Sequence, residues 1–277
     1  MATEFQWAGK TGTQLYAREW PAATTRAVVA LVHGLGEHIG RYAHVAAHLN
    51  AHGYTLIGYD QRGHGRSGGK RGHTPDYETL LDDVGLLLRE AEKRHPARPV
   101  FLYGHSLGGN LVLNYTLRRK PGLRGLIATS PFIRETHPQE GLKLTVGKLM
   151  RSIYPALTLP NGLELEAISR DPAVVDRYRN DPLVHNKLSA AMGIGTLEAA
   201  QWLDAYNGHL PCPTLLIHGG ADRITDPAAT AAFAERVQGD LTFRPFADLY
   251  HETHNEPEQV DVLTTITDWL DAHTPKR

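Results

Sequence analysis

The sequence predicts an α/β fold: a mostly parallel, eight-stranded sheet flanked by helices, with an inserted cap subdomain. Short apolar or alternating segments, each suited to a strand, alternate with longer helical patterns at both ends of the chain. Between residues 132 and 210 that alternation stops, and short pieces bounded by proline and glycine replace it. At 277 residues the chain is long enough for one such domain with an insertion. It can bury a substantial core without help from a metal or a disulfide.

Residues 5–7 and Gln14–Trp20, separated by Thr11-Gly12-Thr13, read as an antiparallel hairpin. Ala27-Val28-Val29-Ala30-Leu31-Val32 is a continuous apolar run, the pattern of a strand covered on both faces. Tyr54–Tyr59 is the next strand. Thr74 as cap and Pro75 at the first helical position open a helix that runs to about Arg94. Residues 99–103 then read as strand, 106–118 as helix and 123–129 as strand. Past the interruption come a strand at 214–218, a helix at 227–237, the strand Leu241–Phe246 and a last helix at 257–272.

The interruption holds Pro138, Gly141, Gly147, Pro155, Pro160, Gly162, Pro172 and Pro182. Within it Leu142, Val146, Leu149, Met150 and Ile153 recur at helical spacing, which predicts one amphipathic helix. The expected division is therefore a core of residues 1–131 and 211–277 and a cap of residues 132–210.

Composition excludes several classes. With 41% hydrophobic and 21% charged residues the chain is ordinary for a globular protein. A net charge of −1 with scattered cations gives no field to recruit nucleic acid. The one cysteine, Cys212, forms no intramolecular disulfide and reads as a buried, inert thiol. The N-terminal residues show no basic segment followed by an apolar stretch, and no apolar run approaches the roughly 20 residues of a membrane span. The expectation is a soluble, cytoplasmic protein.

Chemistry enters at Gly104-His105-Ser106-Leu107-Gly108, a G-x-S-x-G pattern that follows a strand and precedes a helix. That is the setting of a nucleophile elbow, whose tight turn needs glycine around the serine. Of the six serines only Ser106 has such a setting. A serine hydroxyl needs a base, and the base needs an orienting carboxylate, in the chain order Ser, Asp, His for this fold. Asp222 follows the strand 214–218, whereas Asp226 precedes Pro227 and reads better as a helix cap. His251 and His254, in Tyr250-His251-Glu252-Thr253-His254, are both candidates for the base. Their spacing is one short of the zinc motif H-E-x-x-H. An oxyanion would be held by two backbone amides, that of Leu107 and that of Leu35 in the glycine-bearing loop His33-Gly34-Leu35-Gly36-Glu37-His38.

Two further patterns read as structural. Gly63-His64-Gly65-Arg66-Ser67-Gly68 matches a dinucleotide fingerprint, but it follows a later strand and no helical pattern succeeds it. His44, His48 and His52 recur every four residues and read as a solvated helix face.

Together the blocks resemble the monoacylglycerol lipase family and its bacterial members, within the α/β-hydrolase superfamily. The resemblance rests on His33-Gly34-Leu35-Gly36-Glu37-His38 with Arg41-Tyr42, on the segment from Tyr59 to Ser67, and on Gly104-His105-Ser106-Leu107-Gly108-Gly109. It continues through Ser169-Arg170-Asp171-Pro172, Asp181-Pro182-Leu183-Val184, the segment from His218 to Thr225, and Tyr250-His251-Glu252. It implies a triad of Ser106, Asp222 and His251, oxyanion amides at Leu35 and Leu107, and no cofactor. Leu107 stands where relatives commonly have methionine, which leaves the amide in place. The family's cap lines an acyl tunnel and a small polar pocket. Leu142, Val146, Leu149 and Ile153 suit the tunnel, and Glu164 or Glu166 the polar pocket.

The expected function is hydrolysis of monoacylglycerols through an acyl-enzyme, by a monomer or homodimer that touches membranes or micelles transiently through the cap. A broader carboxylesterase or lysophospholipase is the alternative within enzymes. A ligand-binding receptor on a hydrolase scaffold is the alternative from another class.

Overall fold

The computed structural model describes residues 2–136 and 141–275, the side chains of 141–144 apart. Its eight-stranded sheet contains β1 (Thr3–Ala8), β2 (Gln14–Trp20), β3 (Ala27–Val32), β4 (Tyr54–Tyr59), β5 (Val100–His105) and β6 (Gly125–Thr129). The order is β1-β2-β4-β3-β5-β6 and then two later strands, β9 (Thr214–Gly219) and β10 (Leu241–Phe246). The β1–β2 and β2–β4 pairings are antiparallel and all the others parallel.

Alternation along the strands divides the core in two. In β3, Val28, Ala30 and Val32 face one cluster, while Ala27, Val29 and Leu31 face the other. The first face is covered by α2 (Tyr77–Arg94) and α3 (Leu107–Arg119). In α2 the residues Leu80, Leu81, Val84, Leu87, Leu88 and Ala91 present one buried stripe to it. The second face is covered by α1 (Ala43–Ala51) and α8 (Gln259–His273), the latter through Val262, Leu263, Ile266, Trp269 and Leu270.

Helix α2 starts two residues later than Thr74 and Pro75 predict. Asp76 is the cap, its Oδ1 accepting from Thr79 N–H at 2.7 Å, and the Thr74 hydroxyl donates to the Asp76 carbonyl at 2.8 Å. The carboxylate satisfies a helix amide directly, so it wins over the threonine. At α7 (Pro227–Arg236) Asp226 is the cap and Pro227 the first residue, as the sequence predicts.

Between β6 and β9 lie α4 (Gly141–Ile153), β7 (Thr158–Pro160), α5 (Pro172–Asn180), β8 (Lys187–Ser189) and α6 (Ala190–Ala205). β7 and β8 make a separate antiparallel pair. α6 packs back on α2 and α3, giving Met192, Ala199 and Leu203 to the first core cluster. Val174, Val175 and Tyr178 of α5 form a small cluster of their own with Ile168.

The chain runs from β3 to β4 on one side and continues at β5 on the other. The C-terminal ends of β3 and β5 therefore border a topological switch point, where open sheets of this kind place their sites. Among the described residues, no helix is long and apolar enough to cross a membrane.

Candidate active site

Ser106 sits between β5 and α3 with φ 55° and ψ −116°, a conformation that L-residues rarely adopt. Two close approaches hold it there. A Cβ on Gly108 would lie 2.0 Å from the Val32 carbonyl, so only glycine lets α3 start this close to β3. The Ser106 carbonyl accepts from Asn110 N–H at 2.9 Å and from Phe132 N–H at 3.0 Å. The strain, about 1–3 kcal/mol for such a residue, is sustained by the surrounding hydrogen bonds.

The Ser106 hydroxyl donates to His251 Nε2 at 2.9 Å, and His251 Nδ1–H donates to Asp222 Oδ2 at 2.7 Å. An ionised carboxylate only accepts, which fixes the histidine tautomer. Asp222 follows β9 and is anchored by Ile224 N–H and Thr225 N–H on Oδ1, at 2.7 and 3.1 Å. Gly219 allows the two loops to meet, since a Cβ there would stand 2.3 Å from the carbonyls of Leu249 and Tyr250. The Ser130 hydroxyl fastens the histidine loop by donating to the His251 carbonyl at 2.7 Å.

His254 takes no part in this chain of bonds. Its ring stacks on Tyr42 and meets His105 edge-on, each at 4.8 Å between centroids. Burial pushes His105 down to about 3, and it pushes His254 well below the ordinary range too. Burial pushes His251 the same way, but the Asp222 carboxylate outweighs it, with help from Glu252 and Glu37, and leaves His251 raised. Burial would raise Asp222, but the charges and hydrogen bonds of His251 and His218 hold it far below the usual carboxylate range. His251 must be neutral to accept the serine proton, and its neutral fraction grows as pH rises through its pKa. We therefore expect kcat/KM for ester hydrolysis to rise with pH, with a midpoint above the ordinary histidine value of about 6.5. A pH–rate profile of the free enzyme measures it.

A buried ionic network braces the neighbouring loops. Glu37 accepts from Gly34 N–H and Arg41 at 2.6 Å each and from Tyr42 at 2.7 Å. Arg41 also grips both Glu252 oxygens, at 2.7 and 2.6 Å, and stacks over Tyr178. The loop bearing Leu35 and the loop bearing His251 are thus tied to each other and to α5.

A cavity of about 850 Å³ opens over Ser106 and His251. Gly34, Leu35 and Leu107 line it beside the serine. Leu107 is the first residue of α3, where backbone N–H groups have no intrahelical acceptor. Of the cap residues expected at the site, Val146 lines the cavity together with Gly147 and Met150. Leu149 and Ile153 do not; they are 55% and 54% exposed and lie outside the lining. At about 100° per residue, Met150 lies about 40° to one side of Val146 and Leu149 about 60° to the other. One apolar stripe on α4 therefore faces two ways. The Leu142 side chain lies outside the described residues. Glu164 lines the cavity and is held by Arg223 at 2.9 Å, whereas Glu166 pairs with Arg179 on the surface.

His218 Nε2 and the Thr225 hydroxyl also reach Asp222 Oδ2, at 3.1 and 2.9 Å, and neither contact is foreseen from the sequence. A four-residue spacing to Asp222 is no signal here, because it brings side chains together on a helix and these residues lie on a strand end and a loop. Among the described residues, no group of three or more His, Cys, Asp or Glu is arranged to hold a metal.

A hydroxyl bonded to an imidazole, itself bonded to a buried carboxylate, can deliver an alkoxide to an acyl carbonyl and return the proton to a leaving group. The comparisons agree with that chemistry. Residues 23–258 match the serine aminopeptidase S33 family of hydrolases. An abhydrolase domain-containing protein of Dictyostelium discoideum is 40% identical over 92% of this chain, which spans 27% of that relative's length. The monoacylglycerol lipase of Mycolicibacterium smegmatis is 35% identical over 98% of both chains. The crystal structure of the Paleococcus ferrophilus monoacylglycerol lipase superposes with a TM-score of 0.86 at 34% identity, covering 94% of this chain and 99% of that one. The chain belongs to the monoacylglycerol lipase family of α/β-hydrolases, within serine aminopeptidase S33.

Proposed function

We propose that this protein hydrolyses monoacylglycerols to fatty acid and glycerol, with Ser106 as nucleophile, His251 as base and acid, and Asp222 as its orienting carboxylate. The observation that carries it is that the Ser106–His251–Asp222 hydrogen-bond chain opens into one cavity with two kinds of wall. Phe132, Val146, Met150, Leu188, Ile194 and Leu197 offer apolar surface for an acyl chain. Asn161, Glu164 and Arg223 offer polar groups for a small polyol. Lipases of this name among the relatives support the same substrate.

His251 takes the Ser106 proton as Oγ attacks the ester carbonyl. The amides of Leu35 and Leu107 hold the oxyanion, and Glu37 keeps the first of them in place through Gly34. Collapse expels glycerol, protonated by His251. Water activated by the same histidine then releases the fatty acid. Residues 132–210 act as the cap, with α6 as the part that packs on the sheet domain. Leu149, Ile153, Tyr154 and Leu159 give that cap an exposed apolar surface, which supports transient contact with membranes or micelles. A cytoplasmic location belongs to the same proposal; Cys212 is a free, buried thiol, so no disulfide calls for an oxidising compartment.

The test is to incubate the purified protein with excess monoacylglycerol and assay glycerol and fatty acid together. Continuous release of both in equal amounts is expected. Acylation of one equivalent of protein without turnover would make it a receptor on a hydrolase scaffold, and no acylation would reject the serine chemistry.

A further inference from the structure

We propose that His218 is a positioning residue that shares the Asp222 carboxylate with His251 and so limits how tightly His251 holds a proton. The inference rests on the triad reading above and extends it. His218 is the next-to-last residue of β9, with its side chain fully buried. Its Nε2 lies 3.1 Å from Asp222 Oδ2, the oxygen that also accepts from His251. The same Nε2 lies 3.2 Å from the Thr225 carbonyl. Both neighbours accept, so Nε2 must carry the proton and donate. On the far side of the ring, Nδ1 lies 2.8 Å from the Thr230 hydroxyl of α7, which donates into the remaining lone pair. The Thr225 hydroxyl approaches the same Oδ2 at 2.9 Å.

Asp222 Oδ2 therefore faces three donors, and only one of them leads to the serine. Each added donor draws charge from the oxygen and weakens its hold on the His251 proton. A triad that gripped that proton with the whole carboxylate would keep more of its base charged, and idle, near neutral pH. His218 spreads the carboxylate charge while also fixing its orientation.

The other groups around His251 are Glu252 and His254 on its own loop, Glu37 and Arg41 after β3, and His105 at the end of β5. None of them changes in the variants below, so a shift reports on His218.

The experiment is the pH profile of kcat/KM on a soluble ester for the wild type, His218→Leu, His218→Gln, Thr230→Val and Asp222→Asn. His218→Leu should move the acid midpoint up by about half to one unit. Activity near the wild-type midpoint should then fall about 2- to 5-fold more than activity on the alkaline plateau. His218→Gln, whose amide reaches where Nε2 stood, should return the midpoint to the wild-type value. Thr230→Val keeps the ring but removes the donor behind it, and should move the midpoint the same way by less. It also covers the case in which His218→Leu does not fold. A structural role alone would lower the rate at every pH with the midpoint fixed, and that result overturns the proposal. If Asp222→Asn instead kept the wild-type rate and midpoint, the triad reading itself would fall.

Discussion

Replacing Ser106 by alanine should lower kcat/KM for ester hydrolysis by about 10⁴- to 10⁶-fold. Alanine suits the same backbone conformation no worse than serine, so the fold around φ 55° should persist and the loss should be chemical. The amides of Leu35 and Leu107 would remain, and a small residual rate above that of water is expected from them alone. Thermal unfolding close to that of the wild type would confirm that the variant is intact. A variant that kept a tenth of the wild-type rate would remove Ser106 from the mechanism.

Asp222→Asn should cost about 10⁴-fold in kcat while leaving the loop in place. The direction follows from the donors around the carboxylate. Two backbone amides, those of Ile224 and Thr225, point at Oδ1, so the asparagine oxygen must stay there. Its NH₂ group then occupies the Oδ2 position and faces His251 Nδ1. The histidine can answer only with a lone pair at Nδ1, which moves its proton to Nε2, against the serine hydroxyl. The base is thereby turned into a donor. The residual activity should titrate with a midpoint below that of the wild type, because the carboxylate that raises His251 is gone. Steady-state kinetics across pH measure both effects.

The central strands were legible because β3, β4, β5, β6 and β9 are buried on both faces and so carry apolar runs, as in Ala27–Val32. The turn at Ser106 was legible because its geometry demands glycine, and Gly108 leaves a visible mark. The start of helix α2 is not legible because Thr74, Pro75 and Asp76 are all good openers, and only the fold shows whose side chain meets Thr79 N–H. The cap lining was half legible. Periodicity identifies an apolar stripe on α4, but not that Val146 faces the cavity while Leu149 and Ile153 face outward. His218 and Thr225 were missed for another reason: their roles depend on atoms converging on one oxygen from a strand end and a loop.

On the proposed function, the cavity over Ser106 reads both an acyl chain and a free glycerol. Initial rates on a monoacylglycerol, measured beside the diacylglycerol, triacylglycerol and methyl ester of the same acyl chain, test it most directly. The monoacylglycerol should be cleaved fastest, with its advantage reduced by Glu164→Ala. A methyl ester cleaved as fast or faster would contradict it, and would make the protein an esterase that recognises only the acyl chain.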